Sequence, residues 1–78
     1  MMSAEEYIEV WDSNSTPGIN VKCLYVPKDR AYTVLVSNES VTKQAVMAAS
    51  VDPREHLDQD ELEQTFKMAE RLLADMGI

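Results

Sequence analysis

The 78-residue chain has few of the residue types that usually carry chemistry: one cysteine, one histidine and two glycines. The single Cys23 cannot form an intrachain disulfide or a thiolate metal site by itself. Two glycines are too few for a phosphate-binding loop. His56 has no second histidine to work with and no nucleophile beside it in sequence. We therefore predict no enzymatic activity, no catalytic residue, no metal ligand and no cofactor.

The chain also lacks a long apolar run and a basic, apolar leader. No stretch approaches the length of a membrane span, and residues 1–6 are acidic rather than typical of a signal peptide. A lone cysteine fits a reducing compartment. These features predict a cytoplasmic protein without a membrane partner, folded as one small domain over residues 1–78 with a modest core.

Charge of one sign dominates and is concentrated in one place. The net charge is −7, of which −5 falls between residues 52 and 63, where six acids accompany one arginine. We call residues 52–63 the acidic segment; its acids are Asp52, Glu55, Asp58, Asp60, Glu61 and Glu63. Such charge disfavours direct binding of nucleic acid. The segment is interpreted either as a docking surface for a basic protein or as the solvated start of a helix.

A complete amphipathic helix is predicted over about residues 58–76. Its apolar positions alternate steps of four and three: Leu62, Phe66, Ala69, Leu73 and Met76. Asp58 and Glu61 have the spacing of a capping box, in which each side chain bonds the other's backbone N–H. Gly77 suits the left-handed position after the helix, where Ile78 would contact Leu73.

Three strands are predicted before this helix, over residues 7–12, 19–26 and 31–37. A four-residue connection makes the last two a hairpin, with Val26 opposite Ala31. That register places six apolar or aromatic residues on one side, to be covered by the helix: Val21, Cys23, Tyr25, Tyr32, Val34 and Val36. The reverse side is also unusually apolar.

Asn38, Glu39 and Ser40 supply helix start signals. Residues 40–49 are therefore interpreted as a short helix, with a strand as the alternative. Residues 52–55 are interpreted as a single turn or a bent linker. The predicted fold class is therefore α+β: a three-stranded antiparallel sheet followed by two helices, the C-terminal one packed on one sheet face.

Two further sets of residues are candidates for an interface. Tyr7 and Trp11 alternate with acids on the first strand, as in a nucleic-acid mimic, and either form an exposed aromatic pair for recognition or pack on the helix. Leu24, Val26 and Leu35 lie on the reverse side of the sheet, where a second copy of the chain is one possible cover.

Three functional hypotheses follow. The first is a non-enzymatic acidic binding protein, an inhibitor or regulator that docks on a basic protein such as a nucleic-acid-binding one, in the manner of phage inhibitors and antitoxins. The second is an assembly protein that forms a homodimer through its apolar sheet face. The third is a small metal-binding or enzymatic domain centred on His56, although the neighbouring acids match no calcium loop.

Overall fold

The computed structural model of the chain describes residues 6–14 and 16–77. Over these residues the element order is β1 (Ile8–Ser13), β2 (Asn20–Val26), β3 (Ala31–Ser37), β4 (Thr42–Ala48) and α1 (Gln59–Asp75). The strands form one antiparallel sheet in the order β1-β2-β3-β4. The α+β class and the helix on one sheet face are confirmed, whereas the expected three strands and two helices are wrong. We call the side of the sheet under α1 the helix side and the opposite side the open side.

The hairpin of β2 and β3 has the predicted register. Val26 lies opposite Ala31, and the pairing continues to Asn20 opposite Ser37. All six residues expected on the helix side are buried: Val21, Cys23, Tyr25, Tyr32, Val34 and Val36. Together with Ala69 and Leu72 of α1 they form the hydrophobic core. The alternation of β2 and β3 was therefore sufficient to predict the centre of the fold.

Residues 42–48, predicted as part of a short helix over 40–49, form the edge strand β4 instead. β4 pairs with β3 along its whole length. Asn38, which was expected to start the helix, accepts hydrogen bonds at 2.8 Å from the backbone N–H groups of Ser40 and Val41. The side chain that caps a helix closes a tight turn with the same chemistry. The start signal was therefore real but belongs to the turn between β3 and β4.

A β-bulge changes which residues of β1 face the helix. The sequence pattern predicted Ile8 and Val10 on one side and Trp11 on the other. In the structure the register against β2 shifts between Glu9 and Trp11. Ile8 and Trp11 both lie opposite helix-side residues of β2, because the bulge inserts one extra residue between them. The bulge thereby brings the indole ring of Trp11 under α1.

The start and end of α1 follow the predicted signals in part. Asp58 is the N-cap, and its carboxylate accepts a hydrogen bond from the backbone N–H of Glu61 at 3.1 Å. Glu61 does not complete the capping box: its carboxylate accepts from the backbone N–H of Ser50 at 2.9 Å and so fixes the linker from β4. Gly77 has the expected left-handed backbone, with φ +79°. The contact expected of Ile78 lies outside the described residues.

The buried face of α1 is rotated from the predicted apolar face and shares Ala69 with it. Its buried residues are Thr65, Ala69 and Leu72, whereas Phe66 is 43 % exposed. Thr65 can be buried because its hydroxyl is satisfied: it donates to the carbonyl of Leu62 at 2.6 Å and accepts from an indole at 3.0 Å. Within the described residues, no helix combines the length and the apolar character needed to cross a membrane.

Candidate functional site

Three carboxylates of the acidic segment have structural roles. Asp52 accepts three hydrogen bonds from the guanidinium of Arg54 at 2.6–3.1 Å. These bonds hold the pKa of Asp52 below its ordinary value. The backbone N–H of Glu55 donates to the Asp52 carbonyl at 2.9 Å, so of the two interpretations of this stretch, a single turn or a bent linker, the structure has the turn. Asp58 caps α1 and Glu61 holds the linker, so these three acids are engaged within the chain.

The other three carboxylates of the acidic segment are exposed: Glu55, Asp60 and Glu63. Within the described residues, none of them forms an ion pair. Glu55 belongs to the turn before α1, whereas Asp60 and Glu63 lie in the first two turns of the helix. The negative charge of Asp60 near the helix N-terminus also stabilises α1 through the macrodipole. Half of the six acidic side chains are therefore exposed, whereas Asp58 and Glu61 keep their charge but are held by backbone N–H groups.

A buried polar cluster joins β1 and β2 to α1. The indole N–H of Trp11 donates to the hydroxyl of Thr65 at 3.0 Å. The thiol of Cys23 is fully buried beside them, and burial raises its pKa to about 11, although a hydrogen bond with Thr65 partly opposes that rise. A thiol with such a pKa stays protonated at neutral pH and is a poor nucleophile. The predicted burial of Cys23 is confirmed, and this cluster is part of the core.

A second polar pair lies where β3 passes under the start of α1. The hydroxyl of Tyr32 and one carboxylate oxygen of Glu61 are both buried, and neither has a hydrogen-bond partner among the described residues. Burial raises the pKa of Tyr32, and the negative charge of Glu61 raises it further. Since Tyr32 is completely enclosed, this pair lies within the core rather than on an accessible surface.

The open side of the sheet has an apolar centre. Leu24, Val26 and Leu35 lie there as predicted, and β4 adds Val46, which is 59 % exposed. The open-side residues of β3 and β4 include no charged residue: Ala31, Thr33, Leu35, Ser37, Thr42, Gln44, Val46 and Ala48. The charged residues of this side lie on β1 and β2: Glu9, Asp12 and Lys22. Val46 was missed because its segment was interpreted as a helix.

Tyr7 and Trp11, the predicted aromatic pair, lie in different surroundings. Tyr7 precedes β1 and is 61 % exposed, whereas the bulge turns Trp11 towards α1. Trp11 contacts Phe66 instead, with ring centroids 5.0 Å apart. Beside these two rings is a groove of about 320 Å³, also lined by Glu70, which we call the Trp11 groove. The helical spacing of Phe66 and Glu70 was visible in the sequence, but the rotation of α1 was not.

His56 follows the turn of the acidic segment and is exposed. Its backbone N–H donates to the carbonyl of Asp52 at 3.0 Å. In the part of the chain that the structure describes, no three His, Cys, Asp or Glu side chains are grouped as metal ligands would be. The hypothesis centred on His56 therefore gains no ligand set from the fold.

Comparison of the chain with protein-family models, curated proteins and solved structures finds no match.

Proposed function

We propose that this chain is a non-enzymatic binding protein, an inhibitor or regulator that docks on a basic site of a larger protein. One observation carries the proposal: Glu55, Asp60 and Glu63 are exposed, and within the described residues no cation is bonded to them. Carboxylates held on a turn and on a helix are presented in a fixed arrangement. Such charge raises the association rate and selects the partner more than it adds affinity. A nucleic-acid-binding protein would offer the complementary basic site.

The test begins with capture of the partner from the native host at low salt and its elution by a salt gradient. Association with that partner is then measured by stopped flow for the triple variant Glu55→Gln, Asp60→Asn, Glu63→Gln. We expect its association rate to fall roughly tenfold at low ionic strength, because three steering charges are removed. At high salt the difference is expected to shrink, since exposed charges are then screened.

A matched triple variant separates position from total charge. Asp29→Asn, Glu39→Gln and Asp75→Asn remove the same charge from two turns and from the end of α1, where all three acids are exposed. We expect this control to slow association less than roughly threefold. Equal losses in the two variants would show that only net charge matters, and an unchanged rate in the first would exclude the acidic segment as the docking surface.

A second candidate function, assembly into a homodimer, is favoured by the open side. An apolar centre bordered by polar residues is the usual anatomy of a protein interface. Since β3 and β4 carry no charge on this side, two copies can bring these strands together without opposing like charges. β4 also pairs with β3 in regular register, and it contains no bulge or proline that would protect its outer edge. A second copy is thus the cover that this surface suits.

Light scattering and sedimentation test the dimer with the variant Leu35→Asp. A charge at the centre of the interface is expected to raise the dimer dissociation constant at least roughly tenfold. Gln64→Asp is the control, because it adds the same charge at an exposed position of α1. A wild-type chain that stays monomeric at high concentration would exclude homodimer assembly. Binding to a basic protein partner would then be the remaining proposal.

A further inference from the structure

The Trp11 groove lies between the end of β1, the loop after it and the second half of α1. Its volume is about 320 Å³, which is within the range of pockets that accept one small ligand or side chain. The apolar residues that line it are Trp11, Ile19, Val21, Phe66, Ala69 and Leu73. The groove is therefore large and apolar enough to receive a leucine-sized or phenylalanine-sized group.

The walls of the groove are fixed before any partner arrives. The indole of Trp11 is held by its hydrogen bond to the buried Thr65 at 3.0 Å. The ring of Phe66 packs on that indole at a tilt of 52° and leaves 43 % of its residue surface in solvent. Exposed aromatic rings on a rigid base are typical of interface hot spots, because little entropy is lost when they bind.

Acidic residues of α1 border the groove. Of the ionisable residues that line it, Glu70 is exposed on α1, whereas Asp12 lies opposite Lys22 on the open side; no lysine, arginine or histidine of the described residues lines the groove. Glu63, Phe66 and Glu70 follow one another on α1 at steps of three and four, so they share one flank of the helix. The groove is thus continuous with the acidic segment through Glu63, and an apolar group with a positive charge beside it is its electrostatic complement.

We propose that the Trp11 groove receives a large apolar side chain of a protein partner, flanked in that partner by lysine or arginine. The apolar side chain packs on Trp11 and Phe66, and the flanking cations face Glu70 and Glu63 on the same flank of α1. Cations near the ring faces add a further attraction. This inference rests on the proposed function, because it specifies how a basic partner is anchored once the exposed carboxylates have attracted it.

The test is a titration of the isotope-labelled chain, followed by NMR, with the peptide acetyl-Gly-Lys-Phe-Lys-Gly-amide. We expect shifts of the Trp11 indole N–H and of the Ala69 and Leu73 amides. The peptide with glutamate in place of lysine is expected to bind at least roughly tenfold more weakly, because Glu63 and Glu70 repel it. The peptide with alanine in place of phenylalanine is expected to shift only the acidic segment.

Two pairs of variants locate the binding. Glu70→Lys is expected to weaken the lysine-containing peptide roughly tenfold, and its control Glu39→Lys makes the same charge change in the turn before β4. Phe66→Ala is expected to remove the groove shifts, and its control Leu57→Ala removes another exposed apolar side chain. A well-dispersed backbone amide spectrum shows that each variant is folded.

Several results would overturn the inference. Shifts confined to residues 55–63 would exclude the groove but leave docking by the acidic segment in place. Equal binding of the lysine and glutamate peptides would exclude the flanking cations. Groove shifts that depend on protein concentration without peptide would identify a second copy as the occupant. In a further outcome, the neutralised triple variant associates normally with the captured partner while the groove still binds the peptide. The groove would then act independently of the acidic segment.

Discussion

The variant Tyr32→Ala is expected to lose about 3–5 kcal/mol of unfolding free energy. Tyr32 is the largest fully buried side chain in the described residues. It lies on β3 under α1 and packs edge-on against Tyr25, with ring centroids 5.6 Å apart. A domain of 78 residues has roughly 4–12 kcal/mol in total, so the loss leaves the variant close to unfolding. Urea titration followed by circular dichroism and by Trp11 fluorescence measures it.

Two variants show whether the ring is responsible. Tyr7→Ala removes the same side chain from an exposed position and is expected to change stability by less than about 0.5 kcal/mol. Tyr32→Phe keeps the ring and removes a hydroxyl that bonds no group in the described residues, so we expect it to retain most of the stability. A Tyr32→Ala loss no larger than that of Tyr7→Ala would mean that the core is not built around Tyr32.

The hairpin could be predicted from the sequence because two signals agree there. The short connection around Pro27 fixes the register, and the alternation of β2 and β3 then fixes which side each residue faces. The Asp58 cap was predictable for a similar reason, since its bond to the Glu61 N–H is local in sequence. Predictions succeeded where neighbouring residues determine the structure.

The predictions that were wrong concern features set by contacts between residues distant in the sequence. Residues 42–48 are a strand because β3 offers a free edge, which no local pattern records. The bulge in β1 is likewise set by pairing with β2. Thr65 is buried because Trp11 supplies a hydrogen bond from 54 positions away in the chain. The sequence does not show that bond, and a threonine without a hydrogen-bond partner is costly to bury. The more apolar Phe66 was therefore predicted in the core.

The candidate site likewise has features that the sequence predicted and features that it did not. The sequence located the acidic segment but could not separate Glu61, which bonds the linker at Ser50, from Glu63, which is exposed. The Trp11 groove exists only because the bulge and the rotation of α1 bring Trp11 and Phe66 together. Surfaces formed by several elements therefore had to be found in the structure, whereas charge along a single segment did not.

The unfolding free energy is expected to fall as pH rises from 9 to 11, in part because Cys23 ionises more easily in the unfolded chain. Its thiol ionises at an ordinary pKa of 9.0 when exposed, whereas burial raises the pKa to about 11 in the folded chain. Between these values the unfolded chain releases the thiol proton and the folded chain keeps it, so rising pH favours unfolding. The contribution is fully present below pH 9. Two pKa units correspond to about 3 kcal/mol in total, of which about 2 kcal/mol is lost by pH 11.

Comparison with Cys23→Ala isolates the thiol from other groups that ionise at high pH. Tyr32, whose pKa burial also raises, acts in the same direction above pH 10 but is present in both chains. The measurement is a urea titration of each chain at pH 7, 9, 10 and 11. At low pH the variant is expected to have a lower unfolding free energy than the wild type by a constant amount, because the substitution leaves a cavity. Above pH 9 the unfolding free energy of the variant is expected to decline less steeply. Parallel curves for the two chains would show that the thiol ionises as easily in the folded state. They would contradict its burial against Thr65.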